Sequence, residues 1–131
     1  MDVSSLNWEF SRLPLIKRIE RIYDFFEQNE ILVTTSFGTS SAFLLHLISR
    51  IRPDQTIYFV NTTYHFPETL AYKKMLTERW GLNVVELLPD RGSNAFTRVE
   101  QTWKSDANLC CTINKVFPLQ EVKEQHQVWV S

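Results

Sequence analysis

One segment constrains the fold more than any other: a short apolar run, a turn of small residues and an apolar helix follow one another directly. The run is residues 31–33, the turn spans residues 34–41 (Thr-Thr-Ser-Phe-Gly-Thr-Ser-Ser), and residues 42–45 continue as Ala-Phe-Leu-Leu. Such a strand–turn–helix unit directs backbone N–H groups and a helix N-terminus toward one point, which attracts an anion such as a phosphate. An ordinary Ser/Thr helix cap is the competing interpretation of the same residues.

The turn differs from two common phosphate-binding loops. It has no Gly-Lys-Ser/Thr ending, which a Walker loop requires. It carries one glycine, Gly38, where the dinucleotide-binding fingerprint has three. The turn therefore indicates anion binding without assigning the chain to either class.

Apolar strands alternate with helices along the rest of the chain. Residue spacing predicts helices at about 14–29, 40–52, 67–80, 95–103 and 118–125, strands at 31–35, 56–60, 83–88 and 127–130, and a loop at 89–94. This alternation predicts an α/β fold, a parallel-sheet three-layer sandwich. Ligands of such sheets bind at the carboxyl ends of strands. Asn61 and Thr62 follow the second strand, so we expect them to share a crevice with the turn.

Composition excludes several classes of protein. The 131 residues suit one domain, and the net charge of −1 comes with no basic block of the kind that nucleic-acid binding favours. No apolar run approaches the roughly 18 residues of a membrane span, and the N-terminus does not read as a secretory signal, so we expect a cytoplasmic protein. The only cysteines, Cys110 and Cys111, are adjacent, which excludes a secreted disulfide framework.

Three separated motifs together resemble the phosphoadenosine phosphosulfate and adenosine phosphosulfate reductases of sulfate assimilation. They are residues 34–38 (Thr-Thr-Ser-Phe-Gly), 61–69 (Asn-Thr-Thr-Tyr-His-Phe-Pro-Glu-Thr) and 110–119 (Cys-Cys-Thr-Ile-Asn-Lys-Val-Phe-Pro-Leu). The resemblance covers about residues 10–131. It implies a five-stranded, adenine nucleotide alpha-hydrolase-like fold and one nucleotide-binding domain over residues 1–131. It also implies reduction of adenylyl sulfate or phosphoadenylyl sulfate to sulfite, with thioredoxin or glutathione as electron donor in the complete protein.

The resemblance also assigns site residues. The turn at 36–41 matches the family's modified PP-loop, which receives the phosphate or sulfate of the substrate. The nucleotide-binding residues predicted in this way are Thr35, Ser36, Phe37, Gly38, Thr39, Ser40, Ser41, Asn61 and Thr62. Cys110 and Cys111 resemble the first half of the family's iron–sulfur site, and Lys115 falls on the lysine near that cluster. A 4Fe-4S cluster ordinarily takes four thiolates, of which one chain supplies two and a homo-oligomer would supply four.

Departures from the family pattern are also present. The family has Asp-Thr-Gly-Tyr where this chain has Asn61-Thr62-Thr63-Tyr64, which removes a carboxylate acceptor and a conformationally free glycine. The chain ends at Ser131, before the family's arginine-rich segment, second cysteine pair and C-terminal cysteine nucleophile. We therefore expect a C-terminally incomplete fold, with the nucleotide half intact, the chemistry incomplete and the catalytic residues unassigned.

Two further functions stay open. The chain could be a nucleotide-binding fragment or subunit without its own catalysis. It could also be a relative of the ATP pyrophosphatases, although these usually carry Ser-Gly-Gly-x-Asp-Ser, and here Phe37 replaces a glycine and Ser40 replaces the aspartate. Among the remaining polar residues, His46 is expected in the core, His65 receives no catalytic role, and Arg91 and Arg98 are expected to be solvated surface charges.

Overall fold

Four short strands form one parallel sheet, and helices connect and flank them. The protein is described here by a computed structural model, which covers residues 2–131. The strands are β1 (Ile31–Thr35), β2 (Thr56–Val60), β3 (Asn83–Leu87) and β4 (Val128–Val130). The helices are α1 (Val3–Phe10), α2 (Leu15–Phe25), α3 (Ala42–Ile51), α4 (Pro67–Trp80), α5 (Arg91–Val99), α6 (Thr102–Ser105), α7 (Ala107–Cys111) and α8 (Phe117–Glu124).

The strand order is β3-β2-β1-β4, with every neighbouring pair parallel. This confirms the predicted α/β fold, with four strands among residues 2–131 where the resemblance implies five. All five residues of β1 are buried, as expected of a central parallel strand covered on both faces. Because β2 and β4 lie on opposite sides of β1, the order of strands reverses there, and a ligand crevice is expected at the carboxyl end of β1.

The sheet buries an apolar core between itself and its helices. Phe59, Val33 and Leu45 are fully buried, and Phe37 packs its ring against that of Phe59 at 5.5 Å between centroids. The indole of Trp129 on β4 donates to the Thr34 hydroxyl on β1 at 2.8 Å. This bond adds a side-chain tie to the backbone pairing of a strand that is only three residues long.

The helix boundaries follow from their capping residues. Pro67 occupies the first turn of α4, and Gly81 ends that helix with a φ of +62°, a conformation that glycine adopts without steric cost. Asp90 accepts the Ser93 amide at 2.9 Å and begins α5 at Arg91. The predicted loop at 89–94 is therefore wrong beyond residue 90, because a capped helix start resembles a turn in composition.

Near its N-terminus the chain differs from the sequence-based prediction. The helix expected over 14–29 ends at Phe25 and is followed by a separate 3-10 turn, Gln28–Glu30. Helix α1 was not predicted; none of its residues is buried. It contacts α2 through the Arg21–Glu9 ion pair at 2.8 Å and through the rings of Phe10 and Phe25.

The cysteine pair forms the end of helix α7. Helices α7 and α8 are joined by a π-helical turn, Thr112–Val116, in which the Phe117 amide donates to the Thr112 carbonyl. Asp106 caps the start of α7 by accepting the Leu109 amide at 3.0 Å. One nearly continuous helical segment thus carries Cys110 and Cys111 at one end and the last strand connection at the other.

Across residues 2–131, no helix combines the length and the apolar character that a membrane span requires.

Candidate functional site

A cavity of about 560 Å³ lies at the carboxyl ends of β1, β2 and β4, where the strand order reverses. Its walls come from the three strand ends, the turn after β1, helix α3 and the α7–α8 segment. Its lining residues are Thr34, Thr35, Ser36, Ser40, Ser41, Leu44, Val60, Thr62, His65, Lys115, Leu119, Trp129 and Ser131. A second cavity of about 530 Å³ lies at the opposite, amino end of the sheet, beside Ile31 and Thr56, and contains none of the predicted site residues.

The turn after β1 is fixed by its own hydrogen bonds. The Thr35 hydroxyl accepts the Phe37 amide at 3.0 Å, and Phe37 has a φ of +55°. This left-handed conformation is uncommon for a residue other than glycine. Here the Phe37 side chain is 2% exposed and contributes to the core. Phe37 therefore anchors the turn, while its neighbour Ser36 faces the cavity.

The second half of the turn leads into α3. The Ser41 amide and hydroxyl both donate to the Gly38 carbonyl, at 3.0 and 2.6 Å. Ser41 is the N-cap residue of α3, yet no side chain caps this helix start. The competing helix-cap interpretation is therefore wrong for α3. A 3-10 turn, Thr39–Ser41, instead leads directly into α3, and Ser40 and Ser41 line the cavity beside this helix start.

Five of the nine predicted nucleotide-binding residues line the cavity: Thr35, Ser36, Ser40, Ser41 and Thr62. The other four, Phe37, Gly38, Thr39 and Asn61, lie beside it in the two turns. The Asn61 side chain is engaged in its own turn, where its Oδ1 accepts the Thr63 amide at 3.0 Å. The turn after β1 and the turn after β2 thus meet at one crevice through Thr62 and not through Asn61, and nucleotide binding by these residues stays a prediction.

Lys115 supplies the positive charge of the cavity. It lies in the π-helical turn and is the only lysine or arginine that lines the cavity within the described residues. Neither an ion pair nor a hydrogen bond engages its side chain in residues 2–131. The ammonium group is thus available to an anion, and the hydroxyls of Ser36 and Ser40 offer hydrogen bonds to the same ligand.

Apolar and aromatic side chains form the rest of the wall, and sequence reasoning missed most of them. Leu44, Val60 and Leu119 offer an apolar surface that suits a flat heterocycle. His65 also lines the cavity; its Nε2 lies 3.1 Å from the Val60 carbonyl, and its ring lies 4.9 Å from that of Phe59. Because a carbonyl only accepts, Nε2 carries the proton. The sequence could have placed His65 at the cavity, because this residue follows shortly after the end of β2.

The turn after β2 is held by residues of α5. Thr63 has a φ of +71°, and the Arg98 guanidinium donates to its carbonyl and hydroxyl oxygens. The guanidinium carbon also lies 4.5 Å from the Tyr64 ring centroid. Arg98 is exposed, as the sequence predicted, but its guanidinium is hydrogen-bonded to the turn and is not a free surface charge. It shapes the turn that presents Thr62 to the cavity.

The two predicted metal ligands point in different directions. Cys110 is 8% exposed and its Sγ lies 3.5 Å from the Asn114 Nδ2, whereas Cys111 is exposed. Adjacent residues of an α-helix are rotated by about 100°, which separates their side chains. Within residues 2–131, no three His, Cys, Asp or Glu side chains are grouped to hold a metal ion. These residues alone therefore do not fit a four-thiolate cluster.

Known proteins resemble this chain in both sequence and fold. Adenosine 5'-phosphosulfate reductases from Bacillus cereus and Bacillus mycoides are 36% and 35% identical over 107 residues, which is 79% of this chain and 46% of each relative. The chain thus spans about half the length of the curated relatives it matches. The crystal structure of phosphoadenylyl-sulfate reductase from Candida auris shares the fold, with a TM-score of 0.79 at 22% identity over 95% of this chain and 64% of that one.

The family model for the phosphoadenosine phosphosulfate reductase domain matches residues 30–131. That range contains all four strands and every residue that lines the cavity. The chain therefore belongs to the phosphoadenosine phosphosulfate reductase domain family.

Proposed function

We propose that this chain is the nucleotide-binding part of a sulfonucleotide reductase of sulfate assimilation. Its ligand is adenylyl sulfate or phosphoadenylyl sulfate, bound in the cavity at the carboxyl ends of β1, β2 and β4. The single observation that carries the proposal is the meeting of Ser36, Ser40 and Lys115 around one cavity, in a chain of this family. The hydroxyls and the ammonium bind the phosphosulfate, and the apolar wall with Leu44 and Leu119 receives the adenine.

In the complete protein we propose reduction of the bound sulfuryl group to sulfite. The step breaks the bond between the sulfur and the bridging oxygen, releases the adenosine phosphate, and consumes two electrons. Thioredoxin, or two molecules of glutathione, supplies these electrons and becomes a disulfide. A reducing, cytoplasmic compartment fits such a donor and also fits the free thiols of Cys110 and Cys111.

The proposal assigns no step to an iron–sulfur cluster. Cys110 and Cys111 would reach four ligands only with two thiolates from further polypeptide or from a second copy in a homo-oligomer. Iron and acid-labile sulfide analysis of anaerobically purified protein tests this point. We expect almost no iron or acid-labile sulfide in residues 1–131, whereas one cluster per two chains would indicate a shared site.

A second function, nucleotide binding without catalysis, is favoured by one observation. The cavity is formed within residues 2–131, and its lining in these residues includes no cysteine, aspartate or glutamate. The same residues contain one exposed thiol, Cys111, and no group of side chains that could hold a metal ion. Residues 1–131 would then act as a single nucleotide-binding unit that a separate polypeptide completes. Binding without turnover in the presence of thioredoxin or glutathione is the result expected for this function.

Isothermal titration calorimetry under anaerobic, reducing conditions tests the proposed ligand. We expect adenosine 5'-phosphosulfate or its 3'-phosphorylated form to bind at micromolar Kd, about −8 kcal/mol, and ATP to bind more weakly. Lys115→Ala is expected to weaken binding by about tenfold or more, because a hydrogen bond to a charged group contributes about 1.5–3 kcal/mol.

Lys74→Ala is the matched control, since Lys74 is exposed on α4 and does not line the cavity. It should leave the affinity unchanged. Equal affinity for ATP and the sulfonucleotides, together with release of pyrophosphate from ATP, would instead favour the ATP pyrophosphatase relatives.

A further inference from the structure

The side chain of Asn114 is buried and fully hydrogen-bonded. It is 2% exposed, and its Oδ1 accepts the Asn94 Nδ2 at 2.8 Å. Its Nδ2 lies 3.0 Å from the Cys110 carbonyl and 3.2 Å from the Thr97 hydroxyl. A buried amide with every polar atom engaged has one preferred orientation, because any rotation leaves polar groups without partners.

Asn114 lies in the π-helical turn directly before Lys115. Such a turn inserts an extra residue into a helix and changes the direction in which the following side chains project; π turns occur frequently at functional sites. By donating to the Cys110 carbonyl, the Asn114 side chain ties this turn to the helix before it. The orientation of Asn114 and the position of Lys115 are therefore set by the same few bonds.

Asn94 connects this turn to the turn after β2. Its Nδ2, which donates to Asn114, also lies 2.9 Å from the Thr63 hydroxyl and 3.5 Å from the Thr62 carbonyl. Thr62 lines the cavity, as does Lys115. The contact between Asn94 Nδ2 and Asn114 Oδ1, called here the Asn94–Asn114 bridge, thus joins the two walls that carry these residues.

We propose that Asn114 is a positioning residue that acts through the Asn94–Asn114 bridge. It fixes the backbone from which Lys115 projects relative to the Thr62 turn, and so sets the width of the cavity for an anionic ligand. Asn114 does not line the cavity itself. Its effect on affinity rests on the proposed function, while its effect on the geometry of the two walls does not.

Ligand-free NMR tests the geometric part. Asn94→Ala removes the middle link at a half-buried site and is expected to keep the fold. We expect it to shift the amide signals of Lys115 and Val116, although within residues 2–131 the hydrogen bond of Asn94 to this turn goes to Asn114 alone. Asn114→Leu, which keeps the side-chain volume, should in turn shift those of Thr62 and Thr63. Asn108→Ala, at an exposed asparagine on α7, is the matched control and should shift neither pair.

A double-mutant cycle tests the functional part. Asn114→Leu or Asn94→Ala is expected to weaken sulfonucleotide binding about tenfold, within the usual range of coupling between sites. In the Lys115→Ala background Asn114→Leu should weaken it by less than about twofold, whereas Asn94→Ala, which also removes the hydrogen bonds to Thr62 and Thr63, should keep part of its effect. A purely structural role would give the same loss in both backgrounds and would overturn the proposal.

The NMR and binding experiments together distinguish a failure of this inference from a failure of the proposed function. Suppose that each substitution changes the amide signals of the other wall, but the wild-type protein binds no sulfonucleotide. The positioning role then stands for the cavity, and the proposed ligand is wrong. If the Asn94→Ala and Asn114→Leu shifts stay confined to their own walls, the positioning role is overturned, whatever ligand the cavity binds.

Discussion

Arg98 holds Thr63 in a left-handed backbone conformation: one guanidinium nitrogen donates to the Thr63 carbonyl at 2.6 Å and to its hydroxyl at 2.7 Å. The φ of Thr63 is +71°, a region that costs an L-residue roughly 1–2 kcal/mol and that a β-branched residue rarely occupies. Asn94 adds a third hydrogen bond at the same hydroxyl. The turn that presents Thr62 therefore depends on a contact from α5.

We first predict that Arg98→Ala lowers the free energy of unfolding by about 1 kcal/mol, because the Thr63 turn loses two hydrogen bonds. In the Thr63→Gly background the loss should fall to less than half, since glycine adopts the positive φ without support and has no hydroxyl for Arg98. Urea unfolding of the four proteins measures both values. Arg91→Ala, at the exposed start of the same helix, should have no measurable effect.

Phe37 provides the second prediction. Its ring is 2% exposed and packs edge-on against Phe59, so Phe37→Ala should lower the free energy of unfolding by roughly 3–5 kcal/mol. Phe43→Ala is the matched control. Its ring is 61% exposed, and the change should stay within about 0.5 kcal/mol. Thermal unfolding followed by circular dichroism compares the two variants. A small effect of Phe37→Ala would mean that the ring lies outside the core.

The segment around Phe37 was predictable from the sequence only in part. The strand from 31 to 35 was predictable because a strand buried on both faces reads as one apolar run. The hydroxyl-rich turn after it was predictable because strand ends in parallel sheets converge on one crevice. The side-chain direction of Phe37 was not, because it depends on a φ of +55° that no residue pattern specifies.

Contacts between segments that are distant in the chain could not be predicted from the sequence either. Arg98 is exposed, as predicted, but its hydrogen bonds to the turn after β2 could not be predicted, because its partner, Thr63, lies far from it in the sequence. Helix α5 was predicted to begin too late because the cap at Asp90 has the composition of a loop. The resemblance placed Lys115 near an iron–sulfur cluster and not at the nucleotide cavity, since the π-helical turn that directs it leaves no periodic signal in the sequence.

The third prediction concerns the attachment of β4. Trp129→Phe removes the indole donor to the Thr34 hydroxyl and should lower the free energy of unfolding by about 1 kcal/mol. Because Thr34 is 8% exposed, part of this cost is a hydroxyl left without its partner. The same change in the Thr34→Val background should therefore cost less. Urea denaturation provides the comparison, and Trp8→Phe, at a 62% exposed site, should be nearly neutral.

The fourth prediction is a loss of stability in acid. The hydrogen bond from Lys73 lowers the pKa of Glu86 below its usual value. A carboxyl whose folded pKa is depressed stabilises the protein above its unfolded pKa of about 4.3, and this contribution disappears as the pH falls through the folded pKa.

Glu86→Gln should therefore narrow the difference in stability between about pH 6 and pH 3. Because the Glu86 side chain is 37% exposed, we expect a reduction below about 1 kcal/mol. Urea titrations at both pH values measure it, with Glu68→Gln as the exposed control. An acid loss in Glu86→Gln equal to that of the wild type would exclude this ion pair as a contributor.

The last prediction is a loss of stability in alkali that originates at Tyr23. Burial raises the pKa of Tyr23 to about 12, and its hydroxyl donates to the Gln55 Oε1 at 2.7 Å. The unfolded chain releases this proton near pH 10. Between about pH 10 and pH 12 the folded state therefore binds more protons than the unfolded state, and stability falls as the pH rises.

Tyr23→Phe should be less stable than the wild type near neutral pH, because Gln55 is 3% exposed and would lose the donor to its Oε1. It should nevertheless lose less stability than the wild type between about pH 9 and pH 11. Guanidinium unfolding at both pH values checks this. Tyr72→Phe, which removes a phenol at the edge of the core, should keep the alkaline loss of the wild type. If Tyr23→Phe showed the same alkaline loss of stability as the wild type, the buried phenol of Tyr23 would not be the source of that loss.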